Sequence, residues 1–129
     1  MQNLGYTVPT AKSMDEAVSA VEKNTAAHGF RVLHIHDMAA TLAEKGFPRE
    51  PLKIIEICNA KYAHDLLDKD VTTAIMLPCP IAVYQQDGQT CIGTMKPSAI
   101  ADFFPGNGLE FIAEQVEIAV LAIVNDSAK

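Results

Sequence analysis

The sequence predicts an α+β domain, on three observations. Segments with helical periodicity alternate with segments of strand-like alternation along the whole chain. Ser13 and Glu16 form a capping box that opens the first helix, and Asp87-Gly88 is a strong hairpin signal, which joins antiparallel strands. The length of 129 residues fits one domain, residues 1–129, that can bury a core without disulfides or metals.

The first half of the chain alternates strand and helix. A short strand over residues 4–8 precedes the first helix, whose apolar face runs from Met14 to His28. The next strand is predicted over residues 30–36, with Leu33 and Ile35 facing one way and Val32, His34 and His36 the other. A short helix ends at Gly46. The strand over residues 52–58 follows, and then a helix capped by Asn59.

The second half begins with extended structure over residues 73–86. Pro78 and Pro80 interrupt it, which places this stretch at a sheet edge, a bulge or a bend, with Cys79 locally unpaired. Residues 90–95 form the return strand of the hairpin, and a short helix follows from Pro97. Asn107 and Glu110 are expected to cap the last helix.

The last helix is apolar on every side in its second half, residues 118–124. A helix of this kind has to be covered on every side. Neighbouring elements of the same chain are one explanation, and a second copy in a homodimer is the other. The sequence leaves both open.

Composition excludes several classes of partner. Sixteen acidic and ten basic residues give a net charge of −6, which argues against nucleic acids and anionic membrane surfaces. No secretory signal is visible, and the longest apolar run near a terminus is too short to span a bilayer. Three unevenly spaced cysteines suit a reduced, cytoplasmic protein. The glycine-rich phosphate motifs are missing, so no cofactor is expected.

Two cysteines are candidate site residues. Cys58 directly precedes a predicted helix start, where backbone N–H groups favour a thiolate, and Cys79 lies between two prolines. Their spacing matches neither zinc motifs nor Cys-x-x-Cys redox motifs. Burial of both as small hydrophobic residues is the simpler interpretation, since free cysteines are often buried.

A second candidate group is polar. His34 and His36 share one strand face, and Glu56 shares a face of its own strand with Cys58. If the two strands are neighbours, these side chains form a possible metal or acid–base cluster. The His-x-His signal is weak because the pattern is common, and a solvated sheet face or a dimer contact is the favoured interpretation.

The two cysteine segments also make the chain resemble the DUF302 family, a domain of unknown function. The resemblance covers roughly residues 5–125 and is carried by Ile57-Cys58-Asn59 and Leu77-Pro78-Cys79, with Ala60 and Pro80 as departures from the family pattern. It implies an antiparallel sheet with helices packed on one face, similar to the TATA-binding-protein-like arrangement, and a homodimer. The family's two recurring cysteines correspond to Cys58 and Cys79, and the resemblance implies no particular activity.

Three functional hypotheses remain. The first is a soluble, dimeric accessory module that binds a small ligand near Cys58, Cys79 and Glu56. The second is a thiol-based redox or soft-metal-binding protein that uses Cys58 and Cys79. The third is a purely structural interaction protein. Whether the protein is an enzyme is left open by the sequence.

Overall fold

A five-stranded antiparallel sheet forms the centre of the structure, a computed structural model that describes residues 3–129. The strand order is β1-β5-β4-β3-β2, so every neighbouring pair except β1–β5 is consecutive in the chain. The strands are β1 (Gly5–Thr10), β2 (Arg31–Asp37), β3 (Leu52–Cys58), β4 (Cys79–Gln86) and β5 (Gln89–Met95). The helices are α1 (Met14–Ala27), α2 (Met38–Glu44), α3 (Ala60–Lys69), α4 (Ala99–Phe103) and α5 (Glu110–Ala128), with a 3₁₀ helix at Val71–Met76. This arrangement confirms the predicted α+β class.

One face of the sheet carries the core. Alternation along β3 turns Ile55 and Ile57 toward the helices, and Ile81, Val83 and Ile92 do the same on β4 and β5. They pack against α1 and α5 in one continuous cluster. The opposite face of the sheet, called the open face below, bears residues that are mostly half-buried or exposed. The expectation that helices pack on one side is therefore confirmed.

Local signals explain where several elements begin. The Ser13 side chain accepts the Glu16 N–H and the Glu16 carboxylate accepts the Ser13 N–H, so the capping box is formed. Asn59 caps α3 by accepting the Tyr62 N–H at 3.0 Å. Asp87 and Gly88 both have positive φ, which the tight turn between β4 and β5 requires.

A β-bulge in β2 corrects the predicted facing of that strand. The pairing with β3 shifts between Val32 and His34, which inserts Leu33 as an extra residue. Val32 and Ile35 therefore both pack against the core, while Leu33 is 52% exposed. The prediction that Leu33 shares a face with Ile35 is wrong, but His34 and His36 do share the open face.

Three further predictions are wrong. Residues 73–76 belong to the 3₁₀ helix, which Asp70 caps by accepting the Thr72 N–H, rather than to extended structure. The strand β4 lies inside the sheet rather than at its edge, and Cys79 is paired with Ile57 rather than unpaired; Pro80 is tolerated as the second residue of β4. Asn107 donates to Asp70 instead of capping α5, which begins at Glu110 without a side-chain cap.

The apolar second half of α5 is covered only in part. Val120, Ile123 and Val124 are fully buried against the sheet and α1, whereas Ile118 is 60% exposed. Phe111, two turns earlier on the same side of the helix, is 71% exposed. Among residues 3–129, no helix combines the length and apolar character needed to cross a membrane.

Candidate functional site

The two predicted cysteines line one small cavity beneath α3. Cys58 ends β3, and Cys79 begins β4, with its backbone following the cis Leu77-Pro78 peptide. The cavity measures about 10 Å³, which is room for at most one water molecule. Its other lining residues are largely apolar: Phe30, Ile57, Asn59, Tyr62, Ala63, Leu66, Leu77 and Val116.

The chemistry of Cys79 follows from this burial. Removal from water, with a smaller contribution from the nearby Cys58, raises the pKa of the Cys79 thiol to about 11. Within residues 3–129 all three cysteines are free thiols. A raised pKa is the opposite of the activation that a nucleophilic or redox-active cysteine needs.

Glu56 lies apart from that cavity, on the open face. Its Oε1 is 3.1 Å from Nε2 of His36 on the neighbouring strand β2. The His34 and His36 rings meet edge to face with their centres 4.5 Å apart. The structure therefore brings Glu56 together with the two histidines and Cys58 together with Cys79, but it does not join the two groups into one site.

The middle of the open face is concave. Ala82 on β4 is paired with Gly93 on β5, and these two small residues form the floor of a groove of about 360 Å³. We call this the central groove. It is lined by Thr7, Ile54, Pro80, Ala82, Tyr84, Gly93, Thr94 and Met95.

Gly93 is required to be small. A Cβ built on it would lie 2.6 Å from the Thr7 hydroxyl, far inside van der Waals contact, because β1 passes directly beside it. The floor can therefore carry no side chain at this position unless Thr7 moves. A glycine within a strand often marks such a close approach.

A second, more polar groove adjoins the first. It measures about 540 Å³ and shares Ala82 and Tyr84 with the central groove. We call it the polar groove; its remaining lining residues are Arg49, Glu50, Leu52, Gln85 and Gln86. The Glu50 carboxylate already accepts a hydrogen bond of 3.0 Å from the Asp87 N–H. Sequence reasoning missed both grooves, because they arise from strand register.

Comparison with known proteins agrees with this architecture. The family model described as "Domain of unknown function DUF302" matches residues 6–126. The chain belongs to the DUF302 family. Among solved structures it is similar to an uncharacterized conserved DUF302 protein from Bacillus stearothermophilus, with 30% identity and a TM-score of 0.93. That match covers 98% of this chain and 99% of the other. No curated protein matches.

Membership in DUF302 confirms the resemblance carried by the two cysteine segments, and it leaves the function unknown. The roles of Cys58, Cys79 and Glu56 in ligand binding stay predictions. A cytoplasmic location also stays a prediction; free thiols are the state expected of cysteines in that compartment.

Proposed function

We propose that this DUF302 protein is a binding module that holds a small, flat and largely apolar molecule in the central groove. The observation that carries the proposal is the pairing of Ala82 with Gly93 at the centre of an otherwise uncovered sheet face. Small residues on two adjacent strands leave a depression whose sides are formed by larger side chains. Natural ligand pockets occupy roughly 300–1,000 Å³, a range that includes this groove.

The chemistry of the lining selects the ligand class. Ile54, Pro80 and Met95 present apolar surface, and the Tyr84 ring adds an aromatic side. The Thr94 hydroxyl already donates to the Pro80 carbonyl at 2.8 Å, so it has no free proton to offer a ligand. A flat, uncharged molecule therefore gives up few hydrogen bonds to water when it enters the groove, and it can stack against Tyr84.

The cysteine cavity supports this role less well. Its volume of about 10 Å³ admits no organic ligand without rearrangement. The high pKa of the Cys79 thiol also counts against the redox alternative. The central groove needs neither rearrangement nor thiol activation.

Titration with indole, a neutral bicyclic probe, tests the groove. We expect the amide NMR signals of Ala82, Gly93 and Tyr84 to shift in the wild-type protein. Ala82→Phe fills the floor of the groove and should weaken indole binding at least about tenfold, since the ligand loses most of its buried apolar contact. The matched control is Ala60→Phe, the same change at an exposed position of α3.

The control variant should bind indole as the wild type does. Unchanged binding by a correctly folded Ala82→Phe protein, checked by its NMR spectrum, would place the indole elsewhere and refute the proposal.

We propose further that the protein is a homodimer whose subunits meet through α5. The exposed Phe111 and Ile118 lie on one side of this helix, seven residues apart with Glu114 and Gln115 between them, and a second copy can cover both by packing its own α5 against this side. Half-buried Leu121 and Ala122 extend the apolar surface beside Ile118.

Light scattering after size exclusion tests the dimer. The wild type should have the mass of two chains, and the double variant Phe111→Glu/Ile118→Glu should have the mass of one, because burying two carboxylates in an apolar interface is strongly unfavourable. Phe47→Glu is the control, since Phe47 is 67% exposed but lies in the connector before β3. A wild-type protein that stays monomeric at high concentration contradicts the proposal.

A further inference from the structure

A pair of histidines stands at the β2 side of the open face. His34 and His36 are two residues apart on one strand, so their rings project from the same face, and the ring centres lie 4.5 Å apart. The His36 side chain is 43% exposed, and His34 is exposed as well. Both rings are therefore accessible to a solute from solution.

A carboxylate lies beside one of the rings. The Oε1 of Glu56 is 3.1 Å from Nε2 of His36 on the neighbouring strand. A negative charge at this distance favours a cation bound at the histidine pair.

We infer that His34 and His36 bind one divalent late transition-metal ion of the Ni²⁺ or Cu²⁺ class, with the Glu56 carboxylate as a nearby negative charge. Imidazole nitrogens are common ligands of these ions and hold them at about 2.0–2.1 Å. The ring centres lie 4.5 Å apart, so both rings can reach one ion once these accessible side chains rotate from their edge-to-face arrangement until one nitrogen of each ring faces it.

The site is open on its solvent side. In the part of the chain that the structure describes, residues 3–129, no three or more His, Cys, Asp or Glu side chains are gathered for a metal. Two histidines therefore leave the remaining coordination positions to water or to an exogenous ligand. Ile54 is paired with both His36 and Ala82, so a single residue separates the metal site from the central groove. The inference does not depend on whether that groove binds a ligand.

Titration of the untagged protein with Ni²⁺, followed by calorimetry and NMR, tests the inference. Ni²⁺ is chosen because it does not oxidise the free thiols. We expect one ion per chain and paramagnetic broadening centred on β2 and the facing part of β3. His34→Gln and His36→Gln should each lower the affinity at least about tenfold, because each removes one of the two ligands. Glu56→Gln should lower it by a smaller factor, because it removes only a neighbouring negative charge.

His64→Gln is the matched control, since His64 is exposed on α3 and has no histidine partner within the described chain. It should bind Ni²⁺ as the wild type does. The inference fails if the folded double variant His34→Gln/His36→Gln retains the wild-type affinity, or if the broadening centres on the amino terminus or on Cys58 and Cys91 instead.

Discussion

Replacing Ile55 with alanine should lower the free energy of unfolding by about 2–5 kcal/mol. Ile55 is fully buried in the middle of β3, between β2 and β4, and it packs into the cluster formed with α1 and α5. Removing three carbon atoms there loses apolar burial and leaves a cavity that the surrounding strands cannot close. A domain of this size has a total stability of roughly 5–15 kcal/mol, so the loss is large enough to measure by urea denaturation.

The neighbouring residue provides the control. Ile54 points to the open face, is only half-buried and borders the central groove. The same truncation, Ile54→Ala, should therefore cost about 1 kcal/mol or less. Equal losses for Ile54 and Ile55 would mean that the open face is packed as tightly as the core. That result would contradict the accessible groove on which the proposed function depends.

The contrast between these two residues also shows what the sequence could predict. Alternation over Leu52–Cys58, the Asn59 cap and the capping box at Ser13 are local signals, and each of these elements forms where the signals indicate. Local signals succeed here because the same residues set both the backbone conformation and the burial pattern. The family resemblance added the one-sided packing of the helices, which periodicity alone does not give.

The incorrect predictions concern positions where contacts between residues far apart in sequence determine the structure. Nothing local marks Leu33 as the extra residue of a bulge, because the bulge is needed to bring both Val32 and Ile35 onto the core. Asn107 is a residue type that often caps helices, yet its side chain donates a hydrogen bond to Asp70, which lies 37 positions earlier in the chain. Pro80 argued for a sheet edge, but a proline near the beginning of a strand removes too little pairing to exclude an inner position.

The sequence could predict one of the candidate sites in part and could not predict the other. The sequence grouped His34, His36, Glu56 and Cys58 on condition that β2 and β3 are neighbours. The register meets that condition and brings Glu56 to the histidines, whereas Cys58 lines the cavity with Cys79 instead. The central groove could not be predicted, because it depends on Ala82 and Gly93 lying opposite each other on two strands. A glycine in the interior of the predicted strand over residues 90–95 was the one available signal.

Cys79 should react with a thiol reagent at least about 100-fold more slowly than Cys58 and Cys91 at neutral pH in the native state. The thiolate is the reactive form, and burial raises the pKa of the Cys79 thiol to about 11, whereas Cys58 and Cys91 are only half-buried. Mass spectrometry of labelled peptides over time distinguishes the three sites. All three should react equally fast after unfolding in urea, which is the internal control. Rapid native labelling of Cys79 would contradict the burial of its thiol and reopen the thiol-based hypothesis.

The same pKa shift makes stability depend on alkaline pH. The pKa of Cys79 rises from an ordinary value of 9.0 to about 11 in the folded protein, so above pH 9 the unfolded chain loses a proton that the native protein keeps. The contribution of Cys79 to stability is therefore fully present below pH 9 and is lost as the pH rises to 11. This loss lowers the free energy of unfolding by about 3 kcal/mol. Cys79→Ala lacks this titration, so the difference in unfolding free energy between wild type and variant should shrink across that range. Parallel curves for the two proteins would show that Cys79 is not held neutral by burial, and the cavity would then be accessible to water.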